Sequence, residues 1–336
     1  MRKPRLTLAM AADRTLHVLP PPLIARLAKS CDILDPTPIE DFSTPEARQS
    51  LATTEILLTG WGCPHIDTNV LADAPNLALI AHAAGTVKYF LVPEVYERGI
   101  VVTHAAAANA IPVAEYTLAA IIFSNKNIFR LRDLYRRDRT RASSYREMDA
   151  PIGNFDRTIG IVGASRIGRL VVDLLTPFDY DILLYDPYVP PTDPILEKVR
   201  LATLDDLMAQ SDVVSIHAPS LSSTRHMIGK PELARMKTGA TLINTARGAL
   251  VDETALLDQL RTGRINAVID VTDPEIPAPS SDFFTLPNVF LTPHAAGAVG
   301  TERQRLGLLA VEEIERFVAG QPLRHAIIPE ALERLA

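Results

Sequence analysis

The chain has 336 residues, 47% hydrophobic and 22% charged, with a formal net charge of −6. That is enough for one large or two ordinary domains, and the balance excludes a disordered, collagen-like or multi-span membrane chain. The acidic charge excludes a global basic field for nucleic acid. Two cysteines, Cys31 and Cys63, form neither a disulfide framework nor a metal-ligand pattern, so no metal site is expected and a cytoplasmic, reducing compartment is.

The chain opens with Arg2, Lys3 and Arg5 and then an apolar run from Leu6 to Ala12. A short signal-peptide core and an opening β-strand both fit that run. Further strand-like runs are EILLT (55–59), LALIAHA (77–83) and IVVTH (100–104). Residues 105–123 come nearest to a membrane span, but Asn109, Pro112 and Glu115 interrupt them, so no spanning helix is expected. Residues 110–150 read as a long polar helix with an arm. There Arg130, Arg132, Arg136, Arg137, Arg139, Arg141 and Arg146 interleave with Asp133, Asp138, Glu147 and Asp149. This mixture predicts a solvated or subunit-facing surface rather than a nucleic-acid patch.

A second strand series follows: TIGIVG (158–163), DILLY (181–185), DVVSIH (212–217), ATLINT (240–245), NAVIDV (266–271) and NVFLT (288–292). Segments of helical period, such as 167–175 and 253–263, separate most of these runs, which predicts βαβ units and parallel sheets. The runs are apolar on nearly every residue, as in sheets covered on both faces. Six strands suit a doubly wound dinucleotide-binding sheet. The tail after 301 carries no strand series and packs most simply on the first third. The expected fold is therefore α/β in two domains: a doubly wound, Rossmann-type domain at 105–301, inserted into a smaller α/β domain made of 1–104 and 302–336.

Residues 159–168 read IGIVGASRIG at a strand-to-helix junction. Gly163 and Gly168 fill the first and third places of the dinucleotide fingerprint, and Ser165 stands where its middle glycine is expected. Its hydroxyl could donate to a phosphate oxygen. The helix amino terminus, through Arg166 and Ile167, would present backbone N–H groups to the pyrophosphate. Asp186 ends the next strand and suits the ribose hydroxyls of NAD rather than the phosphate of NADP. Three further residues follow later strands: Arg247 after ATLINTA, Glu275 after NAVIDV, and His294 after NVFLTP. Ligands of open α/β sheets bind beyond such strand ends. An arginine can hold a carboxylate through paired hydrogen bonds. A histidine can give and take a proton near neutral pH, and a glutamate beside it favours the imidazolium and fixes its orientation. Taken singly, each also fits an ordinary structural role: a cap, a loop carboxylate, a core histidine.

Four stretches together resemble the NAD-dependent D-isomer-specific 2-hydroxyacid dehydrogenases: IGIVGASRIGR (159–169), SIHAPSLSSTRHMIG (215–229), LINTARGALVDETAL (242–256), and IDVTDPE (269–275) with LPNVFLTPHAAG (286–297). AAGTVKY (83–89) resembles the family's substrate-carboxylate loop and NAIPVAEYTLAAI (109–121) its first cofactor-domain helix. The resemblance implies that Arg247 binds the carboxylate and carbonyl of a small 2-keto acid, that His294 is the acid/base, and that Glu275 pairs with it. It implies that Asp270 lies at the nicotinamide end, and that His217, Pro219, Thr224, Thr245, Ala246, Ala296 and Gly297 line the cofactor cleft. Gly85 and Thr86 would offer backbone N–H groups to substrate. The family's architecture is a flavodoxin-type domain split around the NAD domain, usually in a homodimer held by the arm. The loop TGWGCPHID (59–67) has no Arg or Lys, with only His65 and Lys88 nearby, which favours a glyoxylate-, hydroxypyruvate- or pyruvate-like acid over a phosphorylated one. Trp61 could wall the substrate or fill a core. The alternatives are an NADH-sensing corepressor-like binding protein, and a formate- or phosphite-type dehydrogenase on the same architecture.

Overall fold

The structure, a computed structural model, describes residues 2–329. They divide into two compact units: residues up to Asn109 with those from Ala298 onward, and Ala110–Gly297. The divisions lie a few residues inside the boundaries expected at 104/105 and 301/302.

The first unit runs β1 (Arg5–Ala9), α1 (Ala12–Val18), α2 (Pro21–Ser30), β2 (Asp32–Ile33), α3 (Pro45–Leu51), β3 (Ile56–Thr59), α4 (Thr68–Asp73), β4 (Leu79–His82), α5 (Glu94–Glu97) and β5 (Val101–His104). Its five strands are parallel in the order β2-β1-β3-β4-β5, which is the flavodoxin order. The apolar run near the amino terminus is thus a strand inside the sheet, with Leu6 and Leu8 fully buried. Alternate residues go to opposite faces, as strand geometry requires. Leu6, Leu8, Ile56, Leu58 and Leu79 fill one core, and Leu57, Ile80 and Val102 fill the other.

The second unit begins within α6 (Ala106–Asn125) and continues through α7 (Ile128–Asp138), α8 (Ala142–Met148), β6 (Arg157–Val162), α9 (Arg166–Leu175), β7 (Tyr180–Tyr185) and β8 (Arg200–Leu201). Then come α10 (Leu204–Gln210), β9 (Val213–Ile216), α11 (Lys230–Arg235), β10 (Thr241–Asn244), α12 (Glu253–Arg261), β11 (Asn266–Ile269) and β12 (Val289–Leu291). All strands are parallel in the order β12-β11-β10-β9-β6-β7-β8. Counted from β6, this is the doubly wound order with one further strand at its end. The sheet has seven strands rather than six because the two-residue edge strand β8 carries no apolar run.

Two other expectations need correction. Asn109, Pro112 and Glu115, expected to interrupt a span at 105–123, all lie inside the continuous 20-residue helix Ala106–Asn125, which agrees with the helix the resemblance implied at 109–121. A proline there costs about 3 kcal/mol; burial of Val113, Ala114, Ala120 and Ile121 offsets it. By length and composition α6 could cross a membrane, yet Ala114, Ala120 and Ile121 pack on Ile159, Ile161 and Val171 in the core. Residues 110–150 are not one long polar helix with an arm but most of α6 followed by α7 and α8, with Asn127 and Arg139, both in left-handed backbone, at the two ends of α7. Three of the arm's seven arginines form ion pairs, Arg130 with Glu147, Arg132 with Asp133 and Arg137 with Asp138.

The last helix, α13 (Arg303–Val318), returns to the first unit, where Ala310, Val311 and Ile314 complete the core around Leu6 and Leu8. Gly307 allows the close approach: a Cβ there would lie 1.9 Å from the Val18 carbonyl oxygen. Beyond it Ala326 bridges Thr103, and the Ile327 N–H donates to the Val102 carbonyl at 2.8 Å. Residues 330–336 of the expected tail lie outside the described residues.

Each unit holds a neutral buried histidine, His82 and His217, with burial pushing both down to about 3. The unfolded chain takes up a proton near the ordinary value of about 6.5, and the folded chain does not. Stability should therefore fall as pH drops from about 6.5 toward 3, by up to about 1.4 kcal/mol per pH unit for each histidine. Urea midpoints at pH 7 and pH 5 check this, and His217→Gln should flatten the second unit's dependence. A folded-state His217 titrating above pH 5 by NMR would contradict it.

Candidate active site

At the end of β6 the chain turns sharply. Gly163 has φ +102°, and a Cβ on it would lie 2.7 Å from the Ala218 amide nitrogen. Gly168 is closer still, since a Cβ there would stand 2.1 Å from the Gly163 carbonyl oxygen. Ser165, between them, has ordinary extended backbone (φ −63°, ψ 175°) and caps α9, its Oγ accepting the Gly168 N–H at 3.3 Å. The middle position thus needs no glycine for its backbone, and the serine O–H still has a proton to donate. Arg166 is exposed and Ile167 half-buried on the first turn. Ser165→Gly is expected to cost only a few tenths of a kcal/mol and to change NADH affinity by less than about threefold. A large gain in affinity by titration calorimetry would show that the hydroxymethyl group crowds the site.

Asp186, at the end of β7, binds this turn directly. Its Oδ2 accepts the Ala164 N–H at 2.7 Å and its Oδ1 the Tyr188 N–H at 2.8 Å. A carboxylate offers about four acceptor sites, so others remain for ribose hydroxyls. Sequence reasoning missed Arg169, which donates through Nε to the Ala164 carbonyl at 3.0 Å and through both terminal nitrogens to Asp193 at 2.8 and 2.6 Å. That guanidinium holds the Asp193 carboxyl down to about 2. His217 lies beneath the turn, its N–H on the Val162 carbonyl and its Nε2 2.9 Å from Ser215 Oγ. Thr224 Oγ1 donates to the Pro219 carbonyl at 2.6 Å and closes that loop. A glycine cradle that a Cβ would fill, an open helix start and an acid on the next strand together fit a dinucleotide.

The other candidates follow β10, β11 and β12, three adjacent parallel strands about 4.8 Å apart. His294 and Glu275 meet, with Nδ1 2.5 Å from Oε1 and both side chains about half exposed. His294 has left-handed backbone, φ +53°, which costs a non-glycine residue on the order of 1 kcal/mol. Asp270, 2% exposed, holds that turn together. Its carbonyl accepts the His294 N–H at 2.9 Å, Oδ1 accepts Thr292 Oγ1 at 2.6 Å and the Ala295 N–H at 2.7 Å, and Oδ2 accepts the Ala296 N–H at 2.9 Å. Because Thr292 donates to Asp270, Tyr116 must donate to Thr292 across their 2.8 Å contact. An aspartate within the apolar run NAVIDV was the sequence signal for this staple.

Arg247 stands at the same strand edge. Its Nη1 donates to the Ala246 carbonyl at 2.7 Å, leaving other guanidinium N–H groups for a ligand. Asn244 ties this loop, accepting the Ala246 N–H and donating to the Arg247 carbonyl. Thr245 Oγ1 lies 3.2 Å from Thr117 Oγ1. A Cβ on Gly248 would stand 2.1 Å from Thr272 and 2.4 Å from the Asp273 nitrogen, so the arginine loop rests on the loop that carries Glu275. Gly85 and Thr86 belong to the first unit, where the Gly85 carbonyl lies 3.1 Å from His104 Nδ1 and Thr86 Oγ1 accepts the Lys88 N–H at 3.4 Å. A cavity of about 240 Å³ lies at the opposite, amino-terminal ends of β10–β12, with Phe129 and Phe290 in its wall, and no candidate residue lines it.

Residues 118–296 match the model of the D-isomer specific 2-hydroxyacid dehydrogenase NAD binding domain. The chain is 33% identical over 268 residues to a D-3-phosphoglycerate dehydrogenase of Mycobacterium leprae (strain TN), covering 80% of this chain and 49% of that protein. The chain thus spans about half the length of that relative. It is 32% identical over 322 residues to a glyoxylate reductase of Thermofilum pendens (strain Hrk 5), covering 91% of each. A D-isomer specific 2-hydroxyacid dehydrogenase of Lactobacillus delbrueckii ssp. bulgaricus, solved with NAD, superposes over 96% of this chain and all of that one with a TM-score of 0.79 at 22% identity. With the NAD-domain match spanning more than half of its residues, the chain belongs to the D-isomer specific 2-hydroxyacid dehydrogenase family.

Proposed function

We propose that the protein interconverts a small 2-keto acid and its D-2-hydroxy acid with NAD(H). The observation that carries this is the His294–Glu275 contact at the end of β12, on a turn built by Asp270. When bound at the glycine turn, the nicotinamide cofactor supplies or takes the hydride. Arg247 binds the substrate carboxylate and polarises the neighbouring carbonyl. Glu275 engages Nδ1 of His294, so Nε2 is the nitrogen that gives the carbonyl oxygen its proton in reduction and recovers it in oxidation. Asp186 favours NAD over NADP by accepting ribose hydroxyls and repelling an added phosphate. His217, Pro219, Thr224, Thr245, Ala246, Ala296 and Gly297 complete the cofactor side, and the amides around Gly85 and Thr86 hold the substrate carboxylate.

The functional unit in this proposal is a homodimer joined through the arm. No residue of α7 is buried, and Phe123, Tyr135, Tyr145, Met148 and Phe155 are exposed. Cys31 and Cys63 are free thiols, pushed up to about 12 by burial, and suit a reducing cytoplasm. The substrate is a glyoxylate-, hydroxypyruvate- or pyruvate-like acid. Arg303 adds a cation that local sequence did not show: its guanidinium carbon lies 5.6 Å from the Trp61 ring centroid, against the 59–67 loop. A phosphorylated 2-keto acid therefore belongs in the test. Glyoxylate, hydroxypyruvate, pyruvate and phosphohydroxypyruvate, with formate as an alternative donor, should be offered with NADH or NAD and followed by absorbance. Turnover of the unphosphorylated keto acids is expected; turnover of formate alone would overturn the proposal.

A further inference from the structure

Three residues at the carboxyl ends of adjacent strands of the first unit lie in register: Thr59 on β3, His82 on β4 and His104 on β5. All three are buried, at 0%, 4% and 7% exposure. The segment that leaves β4 runs over them. The Ala84 carbonyl accepts the Ala105 N–H at 3.0 Å, and the Gly85 carbonyl lies 3.1 Å from His104 Nδ1. The ring of His82 hydrogen-bonds the Thr86 backbone, and its Nδ1 lies 2.8 Å from Thr59 Oγ1. A hydrogen bond that favours the protonated ring runs to a carbonyl, so Nε2–H of His82 donates to Thr86 and Nδ1 accepts from the Thr59 hydroxyl. Three successive carbonyls are thereby drawn onto the end of the sheet.

A trans peptide points its C=O and the following N–H in opposite directions. Anchoring the carbonyls of Ala84, Gly85 and Thr86 therefore turns the N–H groups of Gly85, Thr86 and Val87 away from the sheet. No described backbone carbonyl accepts from those three amides. Consecutive N–H groups on one side of a chain form a concavity for an anion.

We propose that His82 and His104 are positioning residues that hold the segment 84–87 in the one conformation whose amides, now including that of Val87, cradle the substrate carboxylate. This rests on the dehydrogenase function proposed above, and it assigns the two histidines no proton transfer. Neutral His82 serves it by donating through one nitrogen and accepting through the other, which neither leucine nor phenylalanine can do.

His104→Leu and His104→Asn test it, since an asparagine amide can reach where Nδ1 stands and a leucine cannot donate. In the full-length protein, His104→Leu should raise KM for the keto acid about tenfold or more, with kcat at saturation and NADH affinity within about threefold. His104→Asn should restore KM to near the wild-type value. A folded His104→Leu with unchanged KM, or an Asn variant as impaired as the Leu variant, would overturn the proposal. Titration of the wild-type protein with oxalate, followed by amide NMR shifts of Gly85, Thr86 and Val87, separates its failure from that of the dehydrogenase function. Shifts that vanish in His104→Leu support the cradle even if no keto acid is turned over. Silent amides in an active enzyme overturn the cradle alone.

Discussion

His294→Ala should lower kcat for keto-acid reduction by about 10²–10⁴-fold while leaving NADH affinity within a few-fold. The expectation comes from the way the side chain is held. Its Nδ1 is committed to Glu275, and its backbone, in left-handed conformation, is fixed by Asp270 through four hydrogen bonds. One nitrogen is left to meet a substrate oxygen, and alanine removes it without disturbing the staple. Glu275→Gln keeps an acceptor for Nδ1–H but loses the charge, so its effect should be smaller. Stopped-flow reduction by NADH gives both quantities. Full turnover by His294→Ala with NADH binding intact would place the proton carrier elsewhere.

Gly168→Ala should weaken NADH binding by about 100-fold or more, because the new Cβ would lie 2.1 Å from the Gly163 carbonyl oxygen. Something must move: the backbone of the turn on one side, or the packing of α9 on β6 on the other. Overpacking of this kind costs about 1–3 kcal/mol of stability. Ser165→Ala is the comparison, since it removes the cap on Gly168 N–H and the hydroxyl donor but adds no atom to the turn, and costs about 1 kcal/mol of stability. Fluorescence titration with NADH and thermal melts of both variants distinguish a moved turn from a weakened helix. Wild-type affinity in a folded Gly168→Ala protein would show that the dinucleotide does not use this turn.

The strands were legible because most are continuous apolar runs, and a parallel sheet covered on both faces demands such runs. LTLAM, TIGIVG and ATLINT each became strands within a residue or so of the expected ends. The two-residue strands β2 and β8 were not legible, because an edge strand that short has no periodicity to read. Pro112 misled in the other direction: a local penalty lost to the burial of a whole helix face. Among the site residues, those at strand ends could be named from sequence, since position after a strand is a local property. The hydrogen bonds that hold them could not. Asp270 reaches residues 22–26 positions away, Tyr116 reaches Thr292, and Arg169 reaches Asp193. Such partners are set by the crossover connections between strands and leave no spacing in the chain. The pair His82 and His104 was silent for the same reason, each being one polar residue closing an apolar run.

The first unit is discontinuous, and this bears on how the chain is made. Leu6, Leu8 and their neighbours share a core with Ala310, Val311 and Ile314, and β5 is bridged by Ala326. At a synthesis rate of about 5–20 residues per second, the intervening second unit takes on the order of ten to forty seconds to emerge. Throughout that interval the newborn sheet lacks its covering helix, so the inserted unit is the first that can finish folding on the ribosome.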